Sequence, residues 1–142
     1  PLDGADEGRM ALARQRASRA VAAIGFDPTA TRRAIGAPKF ARLSPYPPRT
    51  MQLAAGEAPG HLAILESETG SGKTEAALWR FARLFADGEV DGLYFAVPTR
   101  VAAVSLHRRV CEAIAGLFSD PAARPHVTLA VPGMSHAPAP PS

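Results

Sequence analysis

The stretch "SETGSGKTE" at residues 67–75 combines residue types that a polyphosphate would need at close quarters. Gly70 and Gly72 permit a tight turn, any positive φ it requires, and near approach of backbone N–H groups to phosphate oxygens. Lys73 would reach the β and γ phosphates, and Thr74 would coordinate Mg²⁺, so turnover of ATP would rest on these two side chains. A helix beginning there would add its positive end to the anion site. Ser67, Thr69, Ser71 and Glu75 complete the segment expected to hold the cofactor. The usual loop opens with glycine five positions before its second one, and Ser67 stands in that place instead. The blander reading is a glycine-rich turn capped by a lysine, which does not explain all four residue types in register.

Such a loop needs a strand before it and a helix after it. "HLAILE" (61–66) is a short apolar run of the kind expected for a strand buried on both faces. "KTEAALWRFARLFADG" then places Ala77, Leu78, Phe81, Leu84 and Phe85 at helical spacing, with Gly88 as the stop. "GLYFAV" (92–97) reads as a second buried strand. A second helical period follows through Ala103, Leu106, Val110, Ile114 and Leu117, and "HVTLAV" (126–131) reads as a third strand. Strand, helix, strand, helix, strand predicts an α/β fold of the P-loop NTPase kind, a partial RecA-like domain with a parallel sheet flanked by helices. Upstream, the alanine- and arginine-rich residues 9–24 favour a helix ending at Gly25. Residues 27–50 carry scattered prolines and read as a connector with one short helix; the proline-rich tail from Pro132 reads as disordered.

A second chemical signal lies in "AVPTRVAAVSLHRRV" (96–110). Pro98, Thr99 and Arg100 resemble motif Ia of superfamily 2 helicases, which contacts the sugar-phosphate backbone of a single strand. A hydroxyl at Thr99 and a charged fork at Arg100 suit phosphate. An ordinary Pro-Thr helix start with Arg100 solvated is the alternative. His107, Arg108 and Arg109 point about 100° apart in a helix, so they cannot all face one ligand, and solubility is expected for at least two. The loop version with a small first residue followed by Thr69-Gly70 is also similar to that of many helicases. By the same resemblance, "SPYPPRTMQ" (44–52) sits where those helicases carry their Q motif. Gln52 would then pair with the adenine edge, the donor–acceptor match glutamine also uses on adenine in DNA. Tyr46 or Phe40 would lie near the base. A polar helix start after a proline turn is the alternative there.

From about Pro47 to Val131 the chain closely resembles the start of the helicase part of the CRISPR-associated type I effector helicase-nuclease. The pieces that carry this are Glu75 directly after Gly-Lys-Thr, "EAAL", "DGLYFAVPTR" and the arginine-rich helix after it. The resemblance implies ATP and Mg²⁺ as cofactors, and single-stranded DNA and an RNA-guided surveillance complex as partners. It also implies a domain order in which residues 1–43 end or leave an upstream HD nuclease region, 44–131 begin helicase domain 1, and 132–142 form a tail. The family's nuclease ligands are not here: the four histidines, at 61, 107, 126 and 136, form no His-Asp pair. Nor is the Asp-Glu-x-x box that holds Mg²⁺ and the attacking water, since Glu112 and Asp120 are the only acids after Arg100. The chain is therefore expected to bind ATP without hydrolysing it alone. Another superfamily 2 helicase, a nucleotide-binding module without nucleic-acid contact, and a protein-binding remnant are the rival classes.

Bulk properties bound these readings. A chain of 142 residues, 46% of them hydrophobic, can bury one modest core. A net charge of +3 permits nucleic acid without demanding it. A single cysteine, Cys111, excludes an intrachain disulfide framework and fits a reducing cytoplasm. No apolar run approaches the roughly 20 residues that span a membrane. The missing initiator methionine and the abrupt end suggest a piece of a longer protein.

Overall fold

A computed structural model of the chain describes residues 4–132 and 134–136, with side chains from residue 8 to 132. Two compact units divide it, residues 1–30 and residues 31–142. The first is almost entirely helix α1 (Gly4–Ala23), whose described side chains are exposed. Its alanine-rich sequence makes it helical by propensity rather than by packing. Helix α2 (Thr29–Ile35) comes next in the chain.

The second unit is built on two helices. In α4 (Lys73–Ala86), Leu78, Ala82 and Phe85 recur at helical spacing and are buried. In α5 (Arg100–Leu117), Val110, Ala113, Ile114 and Leu117 do the same. These stripes meet in one core, closed by Ile35 of α2 and by Phe118. Each large aliphatic buried there contributes about 1.5–3 kcal/mol. A Schellman closure ends α4: the Glu89 amide donates to Leu84 O at 2.9 Å and the Gly88 amide to Phe85 O at 3.2 Å, with Gly88 at φ 82°. The stop at Gly88 falls where the sequence placed it.

Helix α3 (Thr50–Glu57) packs against α4. The contact is close because residue 56 is glycine: a Cβ there would stand 2.4 Å from Trp79 Nε1. That indole N–H is buried without a partner among the described residues, a cost accepted for the tight approach. Arg80 ties the end of α3 to α4. Its guanidinium donates to the carbonyls of Ala55 at 3.1 Å, Ala58 at 2.6 Å and Gly60 at 2.8 Å, supplying donors that a helix C-terminus lacks.

Among the described residues there is no parallel sheet. Residues 61–66 and 92–97, expected as buried strands, form no strand, and Leu62, Ile64 and Tyr94 are 80%, 80% and 84% exposed. Of residues 126–131 only Leu129–Val131 is a strand (β1). It pairs antiparallel with β2 (Met134–His136), Leu129 opposite His136, in a two-stranded ribbon. The α/β, RecA-like expectation is thus corrected to a helical unit with one short hairpin. The physical reason is that an apolar run becomes a parallel strand only when a neighbour takes up its N–H and C=O groups. Among the described residues neither run has such a neighbour. Short apolar runs carry no periodicity that separates strand from extended loop. The tail read as disordered includes β2, and the rest of it past Pro132 lies outside the described residues.

Candidate functional site

The bend before α4 has the backbone its glycines foretell. Gly70 (φ 81°) and Gly72 (φ 92°) are both left-handed, a conformation that costs other residues roughly 1–2 kcal/mol. Gly72 is the N-cap of α4 and offers no side chain to cap it. Its carbonyl accepts from the Ala76 amide at 3.0 Å, starting the helix. The amide hydrogens of the first turn are therefore left for solvent or an anion. Inside the bend the Lys73 ammonium donates to Ser67 O at 2.7 Å and Glu68 O at 2.8 Å, and the Ser67 and Ser71 hydroxyls share a hydrogen bond of 2.6 Å. The loop is held as a ring with the ammonium across it.

Helix α3 grips this ring from the side. Gln52, only 6% exposed, accepts from the Arg49 amide through Oε1 at 2.8 Å and donates from Nε2 to Gly72 O at 3.1 Å. A Cβ on residue 72 would sit 2.3 Å from Nε2. Arg49 adds a bond from its guanidinium to Ser71 O at 3.2 Å. Gln52 thus spends one acceptor site and one donor on the chain itself, and its amide fastens α3 to the loop.

A cavity of about 740 Å³ opens beside the ring. Residues 69–75 line it together with Gln52, Tyr46 and Arg49. From α5 come Arg109 and Glu112. Of the two aromatics expected near a base, Tyr46 lines the cavity and is exposed. Phe40 instead is buried edge-on to Trp79, with centroids 5.6 Å apart. Thr74 is half-buried in the first turn of α4.

Arg109 reaches across to Glu75, guanidinium to Oε1 at 2.5 Å, and so joins α5 to the first turn of α4. With Lys73 and Arg49 it gives the cavity three cations against Glu75 and Glu112. Sequence reasoning did not find Arg49, Arg109 or Glu112. Neighbours in space here are 22 and 34 residues apart in the chain, and no local pattern signals that. The three adjacent residues of α5 do point apart. His107 Nε2 lies 3.1 Å from Val127 O, Arg109 pairs with Glu75, and Arg108 alone stands without a partner among the described residues.

Pro98, Thr99 and Arg100 are exposed at the start of α5, away from the lining of this cavity. The Thr99 hydroxyl accepts from the Ala102 amide at 3.2 Å and so caps the helix. Arg100 engages no partner among the described residues. No group of three or more His, Cys, Asp or Glu among them could hold a metal ion. No described helix is long and apolar enough to cross a membrane.

Against known proteins, one similarity stands out. The chain is 39% identical over 79 residues to the CRISPR-associated endonuclease/helicase Cas3 of Escherichia coli (strain K12). It resembles a part of Cas3. The match takes in 54% of this chain and 9% of that protein, so the chain spans under a tenth of the relative it matches. This supports a relation to a helicase region of Cas3. No family model matches the chain. No solved structure matches it.

Proposed function

We propose that the chain is the ATP-binding portion of an ATP-dependent translocase or helicase acting on single-stranded DNA in type I CRISPR interference. Its partner in that role is an RNA-guided surveillance complex. The observation that carries this reading is the ring at residues 67–74: two left-handed glycines, an uncapped helix start, and the Lys73 ammonium held across the bend beside a roomy cavity. The similarity to Cas3 gives it a biological setting. The residues present fit a magnesium-bound nucleoside triphosphate. The cradle at Gly72 closes on any added Cβ, and the lysine donors satisfied by carbonyls in the bend would transfer to phosphate oxygens. Mg²⁺ commonly takes one or two protein oxygens and completes its shell from phosphates and water, so Thr74 suffices on the protein side.

When bound, ATP supplies the hydrolytic free energy on which a translocase runs. The chain's own residues bind and orient. Lys73 neutralises the terminal phosphates, Gly70 to Thr74 present backbone donors, and Gln52 with Arg49 keeps the ring in shape. Residues 44–131 form the working part on this reading, with 1–43 and 132–142 as flanking segments. Without an Asp-Glu-x-x box the chain binds and does not turn over alone.

Titration with a fluorescent ATP analogue and Mg²⁺ tests this. Saturable uptake is expected, together with an upward shift in melting temperature. Lys73→Ala removes charge-assisted bonds and is expected to weaken binding about ten- to hundredfold, with a modest fall of the melt in buffer from the two carbonyl bonds lost in the bend. No saturable uptake by the unmodified chain would end the nucleotide reading. Sustained phosphate release that Lys73→Ala abolishes would overturn only the claim that the chain does not turn over.

A further inference from the structure

The face of α5 turned away from the core carries chemistry that the phosphate ring does not use. Arg100, Val101, Val104, Ser105 and Arg108 are all exposed and line one shallow groove. On a helix advancing 100° per residue they share an arc of about 140°, opposite the stripe of Val110, Ile114 and Leu117. Arg32, Arg49, Arg80 and Arg109 each spend the guanidinium on a carbonyl or carboxylate. Arg100 and Arg108 engage nothing among the described residues. Eight residues separate them, so their Cα atoms lie about 12 Å apart along the axis. A stacked strand advances roughly 3.4 Å per nucleotide along its axis, so two such arginines would meet different phosphates of one strand.

We propose that this outer face is a nucleic-acid track: Arg108 and Ser105 continue along α5 the phosphodiester contact begun at Arg100. The occupant is a single strand held by its backbone. The groove has two unpaired cations and a hydroxyl donor, no acid among its lining residues, and no aromatic ring on which a base could stack. Glu112, one turn beyond Arg108, is exposed within the same arc, lines the cavity beside the phosphate ring and ends the groove on that side. The contact is therefore salt-sensitive and indifferent to sequence. This rests on the reading of the chain as part of a single-strand translocase and adds residues that a Pro-Thr-Arg motif does not include.

The test is fluorescence anisotropy of a labelled oligo-dT strand with the 142-residue chain across a salt series. Arg108→Gln is expected to weaken binding and to make the slope of log affinity against log salt shallower by about 0.7, one phosphate contact on a single strand. Arg108→Lys keeps the charge and should keep the slope. Arg33→Gln removes an equally unpartnered, exposed arginine from α2 and should leave the slope alone. Glutamine has nearly arginine's helix propensity, so circular dichroism should be unchanged. If Arg100→Gln flattens the slope and Arg108→Gln does not, the track is overturned and the translocase reading survives. If the unmodified chain binds no strand at low salt, both fall. A concentration-dependent dimer broken by Val101→Asp, with strand binding untouched, would assign the face to a second copy and overturn the track.

Discussion

Helices α4 and α5 pack into one core, yet they begin in opposite ways. α4 starts from a left-handed glycine with no side-chain cap, and α5 starts from Thr99, whose hydroxyl takes up the Ala102 amide. A helix N-terminus has unsatisfied donors in its first turn. At α5 the protein answers one of them itself; at α4 it leaves them open and surrounds them with Lys73, Arg49 and Arg109. Two glycines and a lysine thus make a start whose first-turn donors no side chain caps. A threonine makes one with a donor already answered, and what α5 offers a ligand lies further along, at its outer-face arginines and Ser105.

The sharpest way to break this contrast is to close the open start. Gly72→Ala must hold a left-handed φ of 92° and place a Cβ 2.3 Å from Gln52 Nε2. Backbone strain and overpacking together are expected to cost about 2–5 kcal/mol. Urea denaturation should show a clearly lower midpoint, and the variant should take up no ATP analogue. An unchanged midpoint would mean that the ring does not depend on the left-handed turn.

Gln52→Ala comes next. It strips a partner from Gly72 O and another from the Arg49 amide, in a place where water has little access. A loss of about 1–3 kcal/mol is expected. Nucleotide selectivity separates the two roles of this side chain. If Gln52 only fastens α3 to the ring, ATP and GTP analogues weaken together. If it also reads the base with its remaining donor and acceptor sites, ATP weakens more, and the ratio of the two affinities moves.

The helices were legible in the sequence for a physical reason. Of Ala77, Leu78, Phe81, Leu84 and Phe85, read at helical spacing, Leu78 and Phe85 are buried and the rest half-buried; Val110, Ile114 and Leu117 are buried as read, and Gly88 and Thr99 punctuate the ends. The ring was legible because backbone chemistry limits which residues can occupy it. "HLAILE" and "GLYFAV" misled because their apolar character sets a tendency, while a strand is a relation between two segments. Arg109 was hidden for a similar cause. Its value lies in reaching Glu75, 34 residues earlier, and that depends on how α4 and α5 pack. Local periodicity is written in the sequence, whereas long-range partnership must be folded before it is seen.

Thr99 gives the smallest effect and the finest discrimination. Thr99→Ala deletes the cap and is expected to cost about 1 kcal/mol, a modest downward shift in melting temperature. That variant alone does not separate a cap from a phosphate contact, because a frayed first turn would also displace Arg100. Thr99→Asp does. Aspartate caps at least as well as threonine and carries a negative charge that suits the positive end of α5. Stability should therefore be kept or slightly raised. The same charge beside a phosphate backbone is repulsive, so strand binding in the anisotropy assay should fall while the fold stands firm. Equal affinity for Thr99→Asp and the unmodified chain would place the strand away from this helix start. α5 would then differ from α4 in its ligand as well as in its cap.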